Sequence, residues 1–91
     1  MLNNSSIAII IINWRKYNLT KNCIQSVFDS LYENFKIIIV DNEYQKNVFS
    51  EFEKNDKIHI IKNEKNEGFA RANNQGIKYS LKNGFDYILL L

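Results

Sequence analysis

Four runs of apolar residues recur along the chain, and stretches with helical spacing separate them. The runs cover residues 7–12, 36–41, 58–61 and 85–91. Each run is short and bounded by polar positions, which is typical of a strand buried on both faces of a parallel sheet. The run at 36–41 ends at Asp41, whose charged carboxylate does not suit the packing of a buried apolar strand.

The stretch after the first run predicts a helix from about Leu19 to Ser30, with Asn18 as its N-cap. Apolar residues recur there every three or four positions, so one face of the helix should lie against the sheet. The predicted face consists of Leu19, Cys23, Val27 and Leu31, with Ile24 and Phe28 beside them.

A second helix is predicted from about Phe69 to Lys82, because Asn83 and Gly84 form a helix stop. Its predicted apolar side consists of Phe69, Ala72, Asn73, Gly76, Ile77 and Leu81. A short helix through about Lys54 is predicted between the second and third runs. The element order is therefore βαβαβαβ, an α/β fold with a parallel sheet and right-handed crossovers.

Composition restricts the class of protein. The chain has 91 residues, enough for a single domain over 1–91, and is 45% hydrophobic and 24% charged, as globular proteins are. A net charge of +2 gives no reason to expect a nucleic acid partner. The lone Cys23 excludes an internal disulfide and a cysteine-cluster metal site. No run is long enough to span a membrane, and a cytoplasmic location is expected.

Three loops follow the first three strands, and parallel strands bring them to one edge of the sheet, where ligands bind in open α/β folds. The loops carry residues 13–15, 41–43 and 63–68, and the last leads into the helix that contains Arg71. A carboxylate at this edge suits an N–H or hydroxyl donor, and a helix N-terminus suits a phosphate. The sequence therefore predicts a nucleotide pocket, without the glycine-rich signature of a dinucleotide or P-loop site.

Three segments give the chain a specific resemblance. They are residues 9–14 with the helical segment 23–27, residues 38–42, and residues 66–77, which is the most distinctive block. Together they resemble the N-terminal half of family 2 inverting glycosyltransferases, which have the Rossmann-like nucleotide-diphosphosugar (GT-A) fold. The last block is most similar to the branch that contains rhamnosyltransferases and related enzymes of polysaccharide assembly in the cell envelope.

The resemblance implies a role for residues at the ends of the first two strands. Asp41 would hydrogen-bond the base of a UDP- or dTDP-sugar, and Asn13 and Trp14 would line the base pocket. Two other interpretations stay open: Asp41 as a strand-end cap, and Trp14 as a plug in the wall of the crevice. Glu43 stands close to Asp41 where the family usually has a small polar residue, so the shape of this loop should differ.

The resemblance also implies a role for residues of the last loop and helix. Gly68 and Arg71 would lie near the ribose or diphosphate, and Asn74 would help to hold the loop and helix together. The other interpretation of Arg71 is a solvated residue paired with Glu67, four positions earlier.

In the family, the fourth strand leads into an acidic motif that holds Mg or Mn on the diphosphate. The chain ends at Leu91, and Asp86 precedes the strand instead of following it. We therefore expect no metal site, no catalytic residue and no turnover in this chain. The full-length enzyme would transfer a sugar from UDP or dTDP to a polysaccharide or lipid-linked acceptor with inversion, in the cytoplasm or peripherally at the inner face of the membrane.

Two alternatives remain: a non-catalytic nucleotide-sugar-binding or regulatory fragment, and, ranked lower, a flavodoxin-like signalling domain. A continuation of the reading frame would favour the enzyme over the first alternative. The last strand is apolar at Ile88, Leu89, Leu90 and Leu91, which predicts self-association through these residues.

Overall fold

The computed structural model describes residues 5–91, and residues 1–4 of the predicted domain lie outside the described part. The elements in chain order are β1 (Ile7–Asn13), α1 (Tyr17–Phe28), β2 (Phe35–Asp41), a 3₁₀ turn (Ser50–Phe52), β3 (Ile58–Lys62), α2 (Phe69–Lys82) and β4 (Tyr87–Leu90). The predicted α/β order is confirmed. The short helix predicted through about Lys54 is a single 3₁₀ turn.

All strand pairs are parallel, and the sheet order is β3-β2-β1-β4. The register pairs Asn13 with Asp41 and Asp41 with Lys62. The carboxyl ends of the three strands β1, β2 and β3 therefore stand side by side, as the sequence predicted.

Strands β1 and β2 are buried on both faces, which explains their continuous apolar runs. Odd-numbered residues of the two strands, such as Ile11 and Ile39, pack with Ile24 of α1. Even-numbered residues, such as Ile10, pack with Ala72 of α2 on the opposite face. This alternation fixes the side of the sheet on which each strand-end side chain lies.

The predicted start of α1 is wrong. Its predicted face is confirmed at Cys23, Ile24, Val27 and Phe28, which pack into the core on this side of the sheet, but is wrong at Leu19 and Leu31. The helix begins at Tyr17 after an N-cap at Lys16 that makes no side-chain bond, so Asn18 lies inside it. Leu19 is 64% exposed, and Leu31 lies beyond the helix and is fully exposed. The buried residues are Thr20 and Ile24. Thr20 is buried because its hydroxyl has a hydrogen-bond partner at the edge of the sheet, a contact that a hydrophobicity pattern does not indicate.

The predicted bounds of α2 are confirmed, but its predicted face is wrong at both ends. Phe69 and Leu81 are 70% and 67% exposed. The buried residues are Ala72, Gly76 and Ser80, a stripe of small side chains that lets the helix lie close to β1. A Cβ at Gly76 would lie only 2.7 Å from Cγ2 of Ile10, so this contact requires glycine.

Strand β4 forms one edge of the sheet. Leu89, Leu90 and Leu91 are each about half exposed, whereas Ile88 packs towards the α2 side. No helix within residues 5–91 is long and apolar enough to cross a membrane.

Candidate functional site

The side chains of Asn13 and Asp41 meet at the carboxyl edge of the sheet, and neither is exposed. Asn13 Nδ2 donates a hydrogen bond to Asp41 Oδ1 at 3.1 Å. Thr20 Oγ1, from the first turns of α1, donates to Asn13 Oδ1 at 2.6 Å. These contacts form a continuous polar chain from helix α1 to the carboxylate that ends β2.

The second carboxylate oxygen of Asp41 is buried and accepts no hydrogen bond from residues 5–91. Burial raises the pKa of Asp41 above its ordinary value, and the bond from Asn13 opposes that shift. A buried acceptor without a donor costs on the order of 1–3 kcal/mol. Asp41 therefore has bonding capacity that the rest of the described chain does not use, which is unusual for a residue that serves only as a cap.

Tyr17 carries a second buried polar atom of this kind. Its hydroxyl makes no hydrogen bond within the described residues, and its ring packs against Phe49 at 5.6 Å between centroids. Burial and the negative charge of Asp41 both raise the pKa of Tyr17. The Tyr17 hydroxyl and the second Asp41 oxygen thus both lack a hydrogen-bond partner within the described residues, and both lie on the same side of the sheet, under the start of α1.

The loops after β1 and β2 are tied together just beyond the Asn13–Asp41 pair. Arg15 Nε lies 2.6 Å from Glu43 Oε1, and the Arg15 guanidinium lies 5.1 Å from the ring centroid of Trp14. The ion pair lowers the pKa of Glu43. Arg15 and Glu43 both have left-handed backbones, with φ of 58° and 66°. Trp14 is 44% exposed, so it is not a fully buried plug.

The end of β3 is joined to β2 and α2 by side-chain amides. Asn63 Nδ2 donates to Asn42 Oδ1 and to Gln75 Oε1, both at 2.8 Å, and Gln75 Nε2 donates back to Asn63 Oδ1 at 2.9 Å. The backbone N–H of Glu67 lies 3.4 Å from Asn42 Oδ1. The amino end of α2 is thereby fixed relative to the strand that carries Asp41.

The remaining predicted residues lie at the start of α2. Gly68 is the N-cap with φ 87°, and Arg71 Nη1 pairs with Glu67 Oε1 at 3.1 Å. Arg71 and Asn74 line a surface groove of about 550 Å³ together with Glu67, Gln75 and Lys78. Asn74 is exposed, and the link between loop and helix that we assigned to it is made by Gln75.

The six predicted residues therefore form two groups. Asn13, Asp41 and the half-exposed Trp14 lie at the ends of β1 and β2, and Gly68, Arg71 and Asn74 lie at the start of α2. Among residues 5–91, the side-chain amides of Asn42, Asn63 and Gln75 connect the two groups indirectly.

Sequence reasoning missed four polar residues that shape the site. They are Tyr17, Thr20, Asn63 and Gln75. Asn63 had a detectable signal, since it lies at the end of a strand as Asn13 and Asn42 do. The other three lie on helices, where the hydrophobic pattern gives no sign of their contacts.

The described residues do not fit the divalent metal that the resemblance implies. Within residues 5–91, no three His, Cys, Asp or Glu side chains come together in a group that could hold a metal ion. No chemical step through a metal is therefore assigned to this chain.

The fold and the polar strand ends define an open, parallel α/β domain, a class of protein in which ligands bind at the carboxyl ends of the strands. The profile of glycosyl transferase family 2 matches residues 7–91, and the chain belongs to that family. A search of curated proteins found no match to the sequence.

Proposed function

We propose that this chain is the N-terminal nucleotide-binding part of an inverting glycosyltransferase that uses a UDP- or dTDP-sugar. In this proposal it belongs to the rhamnosyltransferase-like branch, and the full-length enzyme glycosylates a polysaccharide or lipid-linked acceptor. The family membership implies a nucleotide-sugar substrate. The observation that carries the proposal is the unpaired, buried Oδ2 of Asp41 at the ligand edge.

The chemistry of the edge fits a pyrimidine nucleotide. Ionised Asp41 accepts hydrogen bonds only, so it suits the ring N–H of uracil or thymine. Trp14 is exposed enough to stack on a base. The free backbone amides that follow Gly68 and the guanidinium of Arg71 suit the ribose or diphosphate. Arg71, whose side chain is 72% exposed, would exchange its pairing with the less exposed Glu67 for the phosphate.

Binding requires a rearrangement, because Asp41 is fully buried. The pair Arg15–Glu43 ties together the two loops that follow β1 and β2. In this proposal the loop that carries Trp14 and Arg15 moves when the base enters. Metal binding and the catalytic base belong to the rest of the enzyme, so the chain alone would bind nucleotide without turning over a sugar donor.

The test is a calorimetric or NMR titration of the chain with UDP, dTDP, ADP and NAD, with and without manganese. We expect binding of the pyrimidine diphosphates, little effect of manganese, and loss of binding in Asp41→Asn. Asp56→Asn is the matched control, since Asp56 is exposed and lies just before β3, away from the ligand edge. Failure of all four nucleotides to bind, or equal binding by Asp41→Asn, would overturn the proposal.

The alternative, a non-catalytic nucleotide-sugar-binding or regulatory fragment, predicts the same titration. The two differ in the full reading frame. A longer product that transfers a radiolabelled sugar and loses that activity in Asp41→Asn supports the enzyme. A reading frame that stops at Leu91 in a chain that binds nucleotide supports the fragment.

A further inference from the structure

The amide of Asn13 is held from both sides, by a hydroxyl on one side and a carboxylate on the other. Its oxygen accepts a bond from Thr20 Oγ1 at 2.6 Å, and its nitrogen donates to Asp41 Oδ1 at 3.1 Å. All three side chains are at least 95% buried, so water does not compete for these bonds. An amide can be turned over at little steric cost, and its partners decide which end faces which.

We infer that Thr20 is a positioning residue for the nucleotide site, because its hydroxyl holds the Asn13 amide in its bond to Asp41 and so supports the ionised carboxylate whose second oxygen is free. With the hydroxyl in place, the amide nitrogen faces Asp41 and stabilises the carboxylate form. Without it, the Asn13 oxygen is a buried acceptor with no donor, and the amide loses one of the two bonds that hold its nitrogen against the carboxylate. A weaker bond from Asn13 stabilises the ionised form of Asp41 less, so the carboxyl group would take up a proton at a higher pH.

The groups around Asp41 support this assignment to Thr20. Tyr17 faces it from α1 and Asn13 faces it from β1. The nearby charges of Arg15 and Glu43 are paired with each other. Among residues 5–91, Asn13 is the side chain that donates a hydrogen bond to the Asp41 carboxylate, and Thr20 holds the other end of its amide.

The structural part of the test does not need a nucleotide. The pH titration of the Asp41 side-chain carbon is followed by NMR in the wild type, Thr20→Val, Thr20→Ser and Ser26→Ala. Valine keeps the shape of threonine and removes the hydroxyl, and serine restores it. Ser26→Ala removes a hydroxyl from an exposed position of the same helix. We expect the Asp41 midpoint to rise in Thr20→Val and to stay at the wild-type value in the other two variants.

If Thr20→Val does not fold, a measurement on the wild type still tests the inference. Slow solvent exchange of the Asn13 side-chain N–H protons, with magnetisation transfer to the Asp41 carboxyl carbon, is expected from the bond between them. A rapidly exchanging amide without that transfer would overturn the inference. An unchanged Asp41 midpoint in folded Thr20→Val would also overturn it.

The second part of the test, the effect of Thr20→Val on UDP binding, rests on the proposed function and is interpreted separately. In Thr20→Val we expect UDP affinity to fall by about tenfold, the loss of roughly one hydrogen bond, and Thr20→Ser to restore it. If the Asp41 midpoint shifts as expected but the wild type binds no nucleotide, the proposed function fails and the effect of Thr20 on Asp41 stands. If the wild type binds UDP and the Asp41 midpoint does not move in Thr20→Val, the role of Thr20 fails and the proposed function stands.

Discussion

The side-chain amides of Asn63 and Gln75 hydrogen-bond to each other in both directions, at 2.8 and 2.9 Å. Asn63 is also bonded to Asn42, the residue after Asp41. A short set of amides thus connects the end of β3, the end of β2 and helix α2. The two groups of candidate site residues keep their relative position through these contacts.

Replacing Gln75 tests this connection. In Gln75→Ala the buried Asn63 amide loses both an acceptor and a donor, so the free energy of unfolding should fall by about 1–3 kcal/mol in urea denaturation. Asn74→Ala is the matched control, because Asn74 is the neighbouring, exposed residue of the same helix. The control should change stability by less than about 0.5 kcal/mol. Equal effects of the two substitutions would contradict a structural role for the amide pair.

Weakening the pair Arg15–Glu43 should favour nucleotide binding. Glu43→Gln keeps the size of the side chain but removes the charge that holds Arg15, so the loop after β1 opens at a lower free-energy cost. We expect UDP affinity to rise a few-fold by calorimetry at low salt, and the gain over wild type to shrink at high salt. Glu51→Gln, which removes the pairing with Lys21 elsewhere on the surface, is the control. Unchanged or weaker UDP binding in Glu43→Gln would show that the pair does not restrict access.

His59 should make the protein less stable in mild acid. Its ring stacks on Tyr79 at 4.1 Å between centroids, and burial and the positive charge of Lys36 lower its pKa. Below the ordinary His value of 6.5, the unfolded chain binds a proton that the folded chain resists, so stability falls as pH drops through this range.

The variant His59→Phe keeps a stacked ring and cannot be protonated, so its free energy of unfolding should lose this pH dependence between about pH 7 and 5. Lys36→Gln should reduce the dependence without abolishing it, because burial is the larger cause. Urea denaturation at several pH values measures both. If the pH dependence of the free energy of unfolding persists unchanged in His59→Phe, groups other than His59 cause it.

Asp41 should lower the stability of the fold at neutral pH. Burial raises the pKa of Asp41 in the folded state. The contribution of the protonated carboxyl group to stability is therefore fully present below the ordinary pKa of 3.8 and is lost as pH rises through the folded-state pKa. Asp41→Asn should therefore have a higher Tm than wild type at pH 7 and lose nucleotide binding, whereas Asp56→Asn should change neither. A lower Tm in Asp41→Asn at pH 7 would mean that the charge itself stabilises the fold.

The elements that the sequence predicted well are those whose signals are local. The bounds of α2 were correct because Gly68 precedes the helix with a backbone that favours glycine and Gly84 follows it. The strands were correct because their apolar runs are short and bounded by polar residues. Asp41 stood out because a carboxylate directly follows a buried run, and its contact with Asn13 follows from the parallel register.

The parts that the sequence did not predict depend on contacts between distant residues. Thr20 is polar yet buried, because its hydroxyl meets Asn13 across the edge of the sheet. Leu19 is apolar yet exposed, because the side of α1 that carries Thr20 faces the sheet instead. Gln75, not Asn74, holds the last loop, and no feature of the sequence separates these two neighbouring amides.

Strand β4 should mediate self-association. It forms an edge of the sheet among the described strands, and Leu89, Leu90 and Leu91 are 47%, 50% and 57% exposed. An apolar edge strand with free backbone groups is a template for pairing with another chain. We expect the sedimentation coefficient of the chain to rise with concentration, and Leu90→Lys to abolish the rise by placing a charge on the edge. Leu81→Lys is the matched control, since Leu81 is 67% exposed on α2. A chain that sediments as a monomer at all concentrations, or a loss of association in Leu81→Lys alone, would contradict an interface at β4.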